Sequence, residues 1–162
     1  MKKLTLIFSV CMAVLFLSRF SGQATEPVDA KVYFVDRYIH CLIGVPFKVE
    51  NGSKKTQADA VIGMLCASQE NDADFISYSA GFGEDITVSL KGETAYLDLS
   101  KNFAEAIPDD RTNQELFIYQ LVNSVCSLPD IEYVRFTVAG KKDSGLFKFF
   151  DGEEVFSPNF DI

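Results

Sequence analysis

Residues 94–140 constrain the fold of this chain most, because strand, helix and strand patterns follow one another there. Apolar residues alternate with polar ones over 95–100, which is typical of a strand with one buried face. Thr112 and Glu115 have the spacing of a capping box, and apolar residues then recur at helical spacing over 118–125. The pattern predicts a strand, a loop and a helix that packs an apolar stripe against a sheet.

The predicted helix ends near Pro129, because proline cannot continue the ladder of amide hydrogen bonds. Alternation resumes over 134–138, which predicts another strand, and Gly140 lies in the turn that follows. A similar plan precedes this stretch. It has strands over 32–35 and 42–49, a helix that starts at Thr56 to Asp59, and a hairpin of strands over 86–90 and 94–99.

The order of these elements predicts the fold class. The predicted order is strand, strand, helix, strand, strand, helix, strand, followed by a last strand over 146–150. Helices among hairpins favour an α+β domain with a single mixed or mostly antiparallel sheet and both helices packed on one face. Residues 37–40 are predicted to turn the chain, and 69–85 to form a loop with a short helical turn near Phe75 and Ile76.

The N-terminus has the features of an export signal. Two lysines precede an apolar run over 4–17, which is shorter than the roughly 20 residues that a membrane-spanning helix needs. Small residues before position 25 predict cleavage after Ala24, and an uncleaved anchor is the alternative. The chain then divides into a signal peptide at 1–24, a leader at 25–30 and one domain at 31–162. We expect an extracytoplasmic protein, secreted or associated with the envelope.

The predicted mature chain is strongly acidic. Lys2, Lys3 and Arg19 are the only charged residues before position 25, so 23 acidic residues remain against 12 basic ones. A surface of this charge does not attract nucleic acid or anionic lipid head groups. An acidic surface is compatible with basic protein faces, cations and neutral ligands as partners. We expect contact with the membrane only through the signal or anchor.

Three cysteines remain beyond the signal: Cys41, Cys66 and Cys126. An odd number leaves at least one thiol unpaired, and the wide spacing matches no zinc or redox motif. Small hydrophobic core residues are the main interpretation, and one disulfide, then metal binding or catalysis, are the alternatives. The fourth, Cys11, lies inside the apolar run and is expected to leave with the signal.

No reaction centre is evident in the sequence. His40 is the only histidine, and on an extended strand it would point away from the adjacent Cys41. The acidic loop at 70–85 has carboxylates spaced faintly like those of a calcium loop, but it lacks the full set of ligands. We therefore predict no catalytic residue, no metal ligand and no cofactor, and keep a small-ligand or cation site in the acidic loop as the alternative function.

Three phenylalanines near the C-terminus form a candidate contact surface: Phe147, Phe149 and Phe150. Neighbouring residues on a regular strand point to opposite faces, so Phe149 and Phe150 would not both be buried. We expect one exposed phenylalanine of this group to contact a partner.

Four segments form a pattern by their order and spacing. They are an opening strand over 32–36, a strand end with Asp98, Ser100 and Phe103, a helix segment with Glu115 and Gln120, and a closing segment with Pro129, Phe136 and Gly140. Together they resemble the GerMN domain family of spore germination proteins, as a single-domain member.

This resemblance implies a compact domain related to ring-building modules, found in extracytoplasmic envelope proteins of spore-forming and other bacteria. It implies a non-enzymatic interaction or assembly role linked to sporulation or germination, with a protein partner in the envelope and an oligomer as one outcome. It also implies that the shared residues are structural: Asp98, Ser100, Phe103, Gln120, Pro129 and Gly140. Asp98 and Ser100, at a strand exit, are expected to bond nearby amides and fix the following loop.

Overall fold

The computed structural model describes residues 26–67, 74–143 and 145–162. The predicted signal peptide at 1–24 and part of the acidic loop lie outside the described residues. None of the helices within the described ranges is long and apolar enough to cross a membrane.

The described residues form six strands and three helices. In chain order these are β1 (Val28–Asp36), β2 (Leu42–Val49), α1 (Lys54–Ala67), β3 (Phe75–Ile76), β4 (Ile86–Lys91), β5 (Thr94–Leu99), α2 (Lys101–Glu105), α3 (Arg111–Val125) and β6 (Tyr133–Val138). The predicted order of the two long helices and their flanking strands is therefore confirmed. The short strand β3, where a helical turn was expected, and the short helix α2 were not anticipated.

The strands form two sheets, so the prediction of a single sheet is wrong. One sheet has the order β2-β1-β3 and is antiparallel. The other has the order β4-β5-β6, with β4 antiparallel and β6 parallel to β5. Both sheets have three strands, and the class remains α+β.

Side chains at the C-terminal end of α3 bond to backbone groups of the central strand β1, beyond its short pairing with β3. The Tyr33 amide donates to Ser124 Oγ at 2.8 Å, and the Lys31 amide donates to Ser127 Oγ at 2.9 Å. Ser127 Oγ also donates to the Lys31 carbonyl oxygen at 2.8 Å. Two hydroxyls thus satisfy edge groups that a neighbouring strand would otherwise pair.

The long helices contact both sheets, rather than one face of one sheet as predicted. α1 packs against β1, β2 and β4, and α3 packs against β1, β2 and β6. The stripe on α1 is the predicted one, made of Ala58, Val61, Ile62, Leu65 and Cys66. Helix α3 also buries polar side chains that its apolar pattern did not reveal: Gln114, Gln120, Asn123 and Ser124. One continuous core joins the helices and sheets.

The N-terminus of α3 differs from the predicted capping box at Thr112 and Glu115. Asp110 is the cap residue, and its Oδ1 accepts from the Asn113 amide at 2.9 Å. The Asn113 side chain also donates to Asp110 Oδ2 at 2.8 Å, and the two hydrogen bonds from Asn113 lower the pKa of Asp110. Aspartate and threonine are both good cap residues, so composition alone does not decide which of them starts the helix.

The C-terminal segment is irregular, so the predicted strand over 146–150 is wrong. Its backbone instead bonds to side chains, as where the Phe149 amide donates to Gln114 Oε1 at 2.9 Å. Phe147 and Phe156 pack edge-to-face against Phe136 of β6 at 5.3 and 5.6 Å between ring centroids. Such rings anchor the segment to the core without a continuous strand.

Candidate interaction surface

The loop between β1 and β2 is held by a local network of hydrogen bonds. Asp36 Oδ1 accepts from the amides of Tyr38 at 2.8 Å and Ile39 at 3.0 Å. The Asp36 backbone closes the loop, since its amide donates to the Cys41 carbonyl at 2.8 Å and its carbonyl accepts from the His40 amide at 3.1 Å. His40 takes a left-handed φ of 50°, which completes the turn.

This loop presents apolar side chains to solvent. Tyr38 is 72% exposed and Ile39 is 67% exposed, more than any other large hydrophobic residue among those described. We call residues 37–40 the tip. A fixed backbone with exposed apolar side chains loses little conformational entropy on binding, which is a property of protein contact sites.

A groove lies along β1, beside residues 29–33. Its first part is lined by Asp29, Ala30, Lys31, Tyr33, Cys126, Ser127 and Phe160. Its second part shares Cys126 and Phe160 and adds Ile131, Glu132, Tyr133, Ser157 and Pro158. Phe160 is 53% exposed and stacks on Tyr33 with 5.6 Å between ring centroids. The groove is therefore open, largely apolar and bordered by carboxylates.

The wall of the groove that carries Phe160 is fixed by hydrogen bonds on both sides. Asn123 Nδ2 donates to the Asn159 carbonyl at 2.6 Å, and Asn123 Oδ1 accepts from the Asn159 amide at 2.9 Å. The Leu42 amide donates to the Ile162 carbonyl at 2.9 Å. The C-terminal residues are thus bound to α3 and to the start of β2.

Two of the three thiols, those of Cys66 and Cys126, are protonated structural groups rather than nucleophiles. Cys41, Cys66 and Cys126 form no disulfide among the described residues. Burial, followed by the nearby Glu132 carboxylate, raises the pKa of the Cys126 thiol to about 12. Burial and then Asp85 raise the pKa of Cys66 to about 11. Because the thiolate is the reactive form, these two cysteines are poor nucleophiles at neutral pH.

In the described part of the acidic loop, the Asp85 carboxylate holds the loop to the end of β5. Asp85 accepts a hydrogen bond from the Ser100 hydroxyl, and its backbone carbonyl accepts from the Ser100 amide at 2.8 Å. Within 26–67, 74–143 and 145–162, no three side chains of His, Cys, Asp or Glu are grouped to hold a metal ion. Residues 70–73 of the loop lie outside the described residues.

Comparison with known proteins identifies the family of this chain. A family model described as Germane, sporulation and spore germination, matches residues 31–144. The chain belongs to the Germane family. The resemblance to GerMN domains inferred from the sequence is thereby confirmed. No curated protein sequence matches the chain significantly.

Solved structures share the fold of this Germane domain at low sequence identity. The tandem GerMN domains of the sporulation protein GerM from Bacillus subtilis align with a TM-score of 0.56 and 19% identity, over 86% of this chain and 47% of that chain. The first GerMN domain of GerM gives 0.55 and 16%, over 76% and 92%. A protein from Clostridium perfringens described as a lipoprotein gives 0.53 and 16%, over 82% and 88%.

Several residues of the family pattern bond within the Germane domain. Asp98 Oδ1 accepts from the Thr137 hydroxyl at 2.6 Å and from the Gly140 amide at 2.7 Å, so it ties β5 to the turn after β6. Gly140 has a left-handed φ of 76°, which glycine adopts without strain. Ser100 caps α2, with its Oγ accepting from the Phe103 amide at 3.1 Å.

Other pattern residues lie in the core or at an element end. Phe103 is fully buried, and its ring centroid lies 4.5 Å from that of Phe82. Gln120 Oε1 accepts from the Tyr78 amide and Gln120 Nε2 donates to the Ile76 carbonyl, both at 2.9 Å. Pro129 lies exposed just beyond α3. These residues pack in the core, form hydrogen bonds within the domain or follow the end of a helix. None of them lines the tip or the groove.

The three phenylalanines chosen from the sequence do not form one surface. Phe147 is 3% exposed and belongs to the core, so it is not available as a contact point. Phe150 is half-buried against the core, and Phe149 is 39% exposed with Lys148 Nζ 5.3 Å from its ring centroid. A contact role for Phe149 stays a prediction.

Sequence reasoning missed Tyr38 and Ile39 as surface residues. It placed them in a turn but gave them no role. The signal was available, since two large apolar residues within a predicted turn have no sheet face on which to be buried. The groove had no such signal, because its walls come from segments far apart in sequence.

Proposed function

We propose that this Germane domain is a non-enzymatic interaction module of the cell envelope, acting outside the cytoplasm in sporulation or germination. It would bind a protein partner through the tip. The observation that carries this proposal is the exposure of Tyr38 and Ile39 on a loop whose backbone is fixed by Asp36.

The family description supports a role in sporulation or germination. The relatives in structure support a location outside the cytoplasm. The family model is described by sporulation and spore germination. One relative in structure is described as a lipoprotein, a class attached to membranes outside the cytoplasm, and another is the sporulation protein GerM. The export signal predicted at 1–24 agrees with such a location.

The chemistry of the described residues supports binding rather than catalysis. The only histidine, His40, is exposed on the tip, with its amide used to close the loop. Cys66 and Cys126 are protonated at neutral pH, and Asp85 and Asp98 serve as hydrogen-bond acceptors for backbone or hydroxyl groups. The histidine and these two thiols therefore do not supply an activated nucleophile with a base beside it.

Tyr38 has the properties of an anchor in a protein interface. Tyrosine is enriched among residues that dominate binding energy, because it buries a large rigid surface and keeps a hydroxyl for a hydrogen bond. Truncation of such an anchor costs about 2 kcal/mol or more in binding free energy. That cost corresponds to roughly a thirtyfold loss of affinity.

The test is capture of envelope proteins from sporulating cells by the mature domain, quantified by mass spectrometry. The variant Tyr38→Ser/Ile39→Ser removes the apolar surface of the tip, and Met64→Ala removes a 39% exposed side chain on α1 as the matched control. We expect the tip variant to lose a partner that the control retains, with equal thermal stability of both variants. Retention of every captured protein by the tip variant would contradict the proposal.

A further inference from the structure

We propose that Asn51 is a site of spontaneous covalent modification, at which the backbone nitrogen of Gly52 attacks the asparagine side chain and converts it to aspartate or isoaspartate. The site lies on the loop between β2 and α1. It shares no residue with the tip, so it is independent of the proposed function.

The reaction needs only the chain and water. The Gly52 amide nitrogen forms a bond to the side-chain carbonyl carbon of Asn51 and gives up its proton, and the carboxamide nitrogen leaves as ammonia. The cyclic imide that results takes up one water, which opens either of its two carbonyl groups. One opening gives aspartate. The other gives isoaspartate, in which the main chain runs through the former side chain. No atom changes its oxidation state, so no oxidant or reductant is required.

The sequence favours this reaction at one asparagine. Glycine hinders the attacking nitrogen least, because it has no Cβ and its backbone takes conformations closed to other residues. Asn51 is the only asparagine of the sequence that a glycine follows. The others precede larger residues: Asn71, Asn102, Asn113, Asn123 and Asn159.

The structure leaves the reacting atoms unrestrained. Asn51 and Gly52 are both exposed, in a bend just before α1. Among the described residues, neither the Asn51 carboxamide nor the Gly52 amide has a hydrogen-bond partner. The Gly52 carbonyl, which does not react, accepts from Gln57 Nε2 at 3.3 Å. The nitrogen can therefore approach the side-chain carbonyl without breaking a hydrogen bond.

A second pair that is reactive by sequence shows what restraint looks like. Asp151 precedes Gly152, and an aspartate can form the same imide with loss of water. Asp151 Oδ1, however, accepts from the Glu153 amide at 2.9 Å, and Gly152 is buried. A Cβ at position 152 would collide with the Asp143 carbonyl oxygen, so the backbone is tightly packed there. The folded structure therefore permits the reaction at Asn51 and opposes it at Asp151.

The modification changes the start of a helix that contacts both sheets. Ser53 caps α1, since its Oγ accepts from the Thr56 amide at 3.1 Å. Aspartate at position 51 adds a negative charge close to the N-terminus of α1, which the helix dipole favours. Isoaspartate instead lengthens the main chain by one methylene group before Gly52, which displaces the carbonyl that accepts from Gln57.

Peptide mapping by mass spectrometry, after incubation of the purified mature chain at physiological temperature and neutral pH, measures the modification. We expect a mass gain of about one dalton in the peptide that contains Asn51, divided between aspartate and isoaspartate. The same incubation in urea gives the rate in the unfolded chain. The native rate at Asn51 should lie within about threefold of that rate, because exposed loops open at almost no cost in free energy. Isoaspartate at Asp151 should form in urea and not in the folded domain.

Gly52→Ala is the matched control. A Cβ at position 52 meets the Thr56 Cβ at 3.8 Å, an ordinary contact, and Gly52 has no left-handed φ. The variant should keep its melting temperature and gain mass at least about tenfold more slowly, because the methyl group hinders the attacking nitrogen. Asn51→Asp already carries one product and should gain no mass there. Reaction of Asn51 in urea but not in the folded domain, or equal rates in Gly52→Ala and the wild type, would overturn the inference.

Discussion

Asn123 and Asn159 are joined by two hydrogen bonds between one side chain and one backbone unit. The Asn123 amide group donates to the Asn159 carbonyl at 2.6 Å, and its oxygen accepts from the Asn159 amide at 2.9 Å. Gln120 makes the same pair of bonds to Ile76 and Tyr78. Carboxamide side chains on α3 thus pair backbone groups at the end of β3 and in the irregular wall of the groove, where no neighbouring strand does so.

Removal of the Asn123 carboxamide should destabilise the domain and loosen the groove. Asn123→Ala leaves a backbone amide and a carbonyl without partners, which should lower the free energy of unfolding by roughly 2–4 kcal/mol. Urea denaturation measures the change. The matched control is Asn159→Ala, which keeps the backbone groups that Asn123 binds and should cost less than about 1 kcal/mol. Equal costs for the two variants would contradict this role of Asn123.

The hydroxyl of Ser124 should matter more than that of Ser127, although both bind the edge of β1. The bond from the Tyr33 amide to Ser124 is buried, whereas the bond from the Lys31 amide to Ser127 lies where water can replace it. Ser124→Ala should lower the free energy of unfolding by about 1–3 kcal/mol, and Ser127→Ala by less. Chemical denaturation of both variants gives the comparison, and a larger effect at Ser127 would refute it.

Alkaline pH should destabilise the domain through its buried thiols. Burial raises the folded-state pKa of Cys126 to about 12 and of Cys66 to about 11, against 9.0 for a free thiol. The folded state then binds more protons than the unfolded state above pH 9, so stability is complete below that pH and falls as pH rises toward 12. The loss should reach up to about 1 kcal/mol for each thiol by pH 10.

Urea denaturation at pH 8 and pH 10, with reductant, measures this loss. In the variant Cys126→Ala the difference between the two pH values should be smaller than in the wild type. An unchanged difference would show that the Cys126 thiol does not contribute.

Calcium should not stabilise the domain. The described part of the acidic loop offers no group of three ligands, and Asp85 is bound to Ser100. The proposed function predicts that the melting temperature stays the same within about 1 °C up to millimolar calcium, because stabilisation requires preferential binding to the folded state. A rise in melting temperature that follows the calcium concentration would favour the alternative function, a cation site at 70–85.

Local sequence patterns predicted most helices and strands of this fold. They could not predict the contacts between segments far apart in sequence. Alternation found β4, β5 and β6, and the helical stripe found α1 and α3, because each depends on residues close in sequence. The contact between α3 and β1 depends on Ser124 and Ser127, about 90 residues away from the strand, and no pattern within either segment predicts it.

The two candidate surfaces differ in the same respect, because the tip depends on residues close in sequence and the groove on residues far apart. The tip depends on one local feature, the Asp36 carboxylate that binds two amides within three residues, so an aspartate before a predicted turn could have revealed it. The groove is assembled from β1, the end of α3, β6 and the C-terminal segment. Phe147 was misread for the same reason, because its burial depends on Phe136 and Phe117.

Photo-crosslinking in sporulating cells tests the central claim, that the tip is the contact surface of this domain, most directly. A photoreactive phenylalanine analogue would replace Tyr38 in one strain and Phe149 in another, since both positions expose an aromatic ring. We predict a discrete crosslinked protein, either another copy of the chain or an envelope partner, from position 38 and none from position 149. Crosslinks from position 149 alone, or none from position 38 at the same expression level, would contradict the claim.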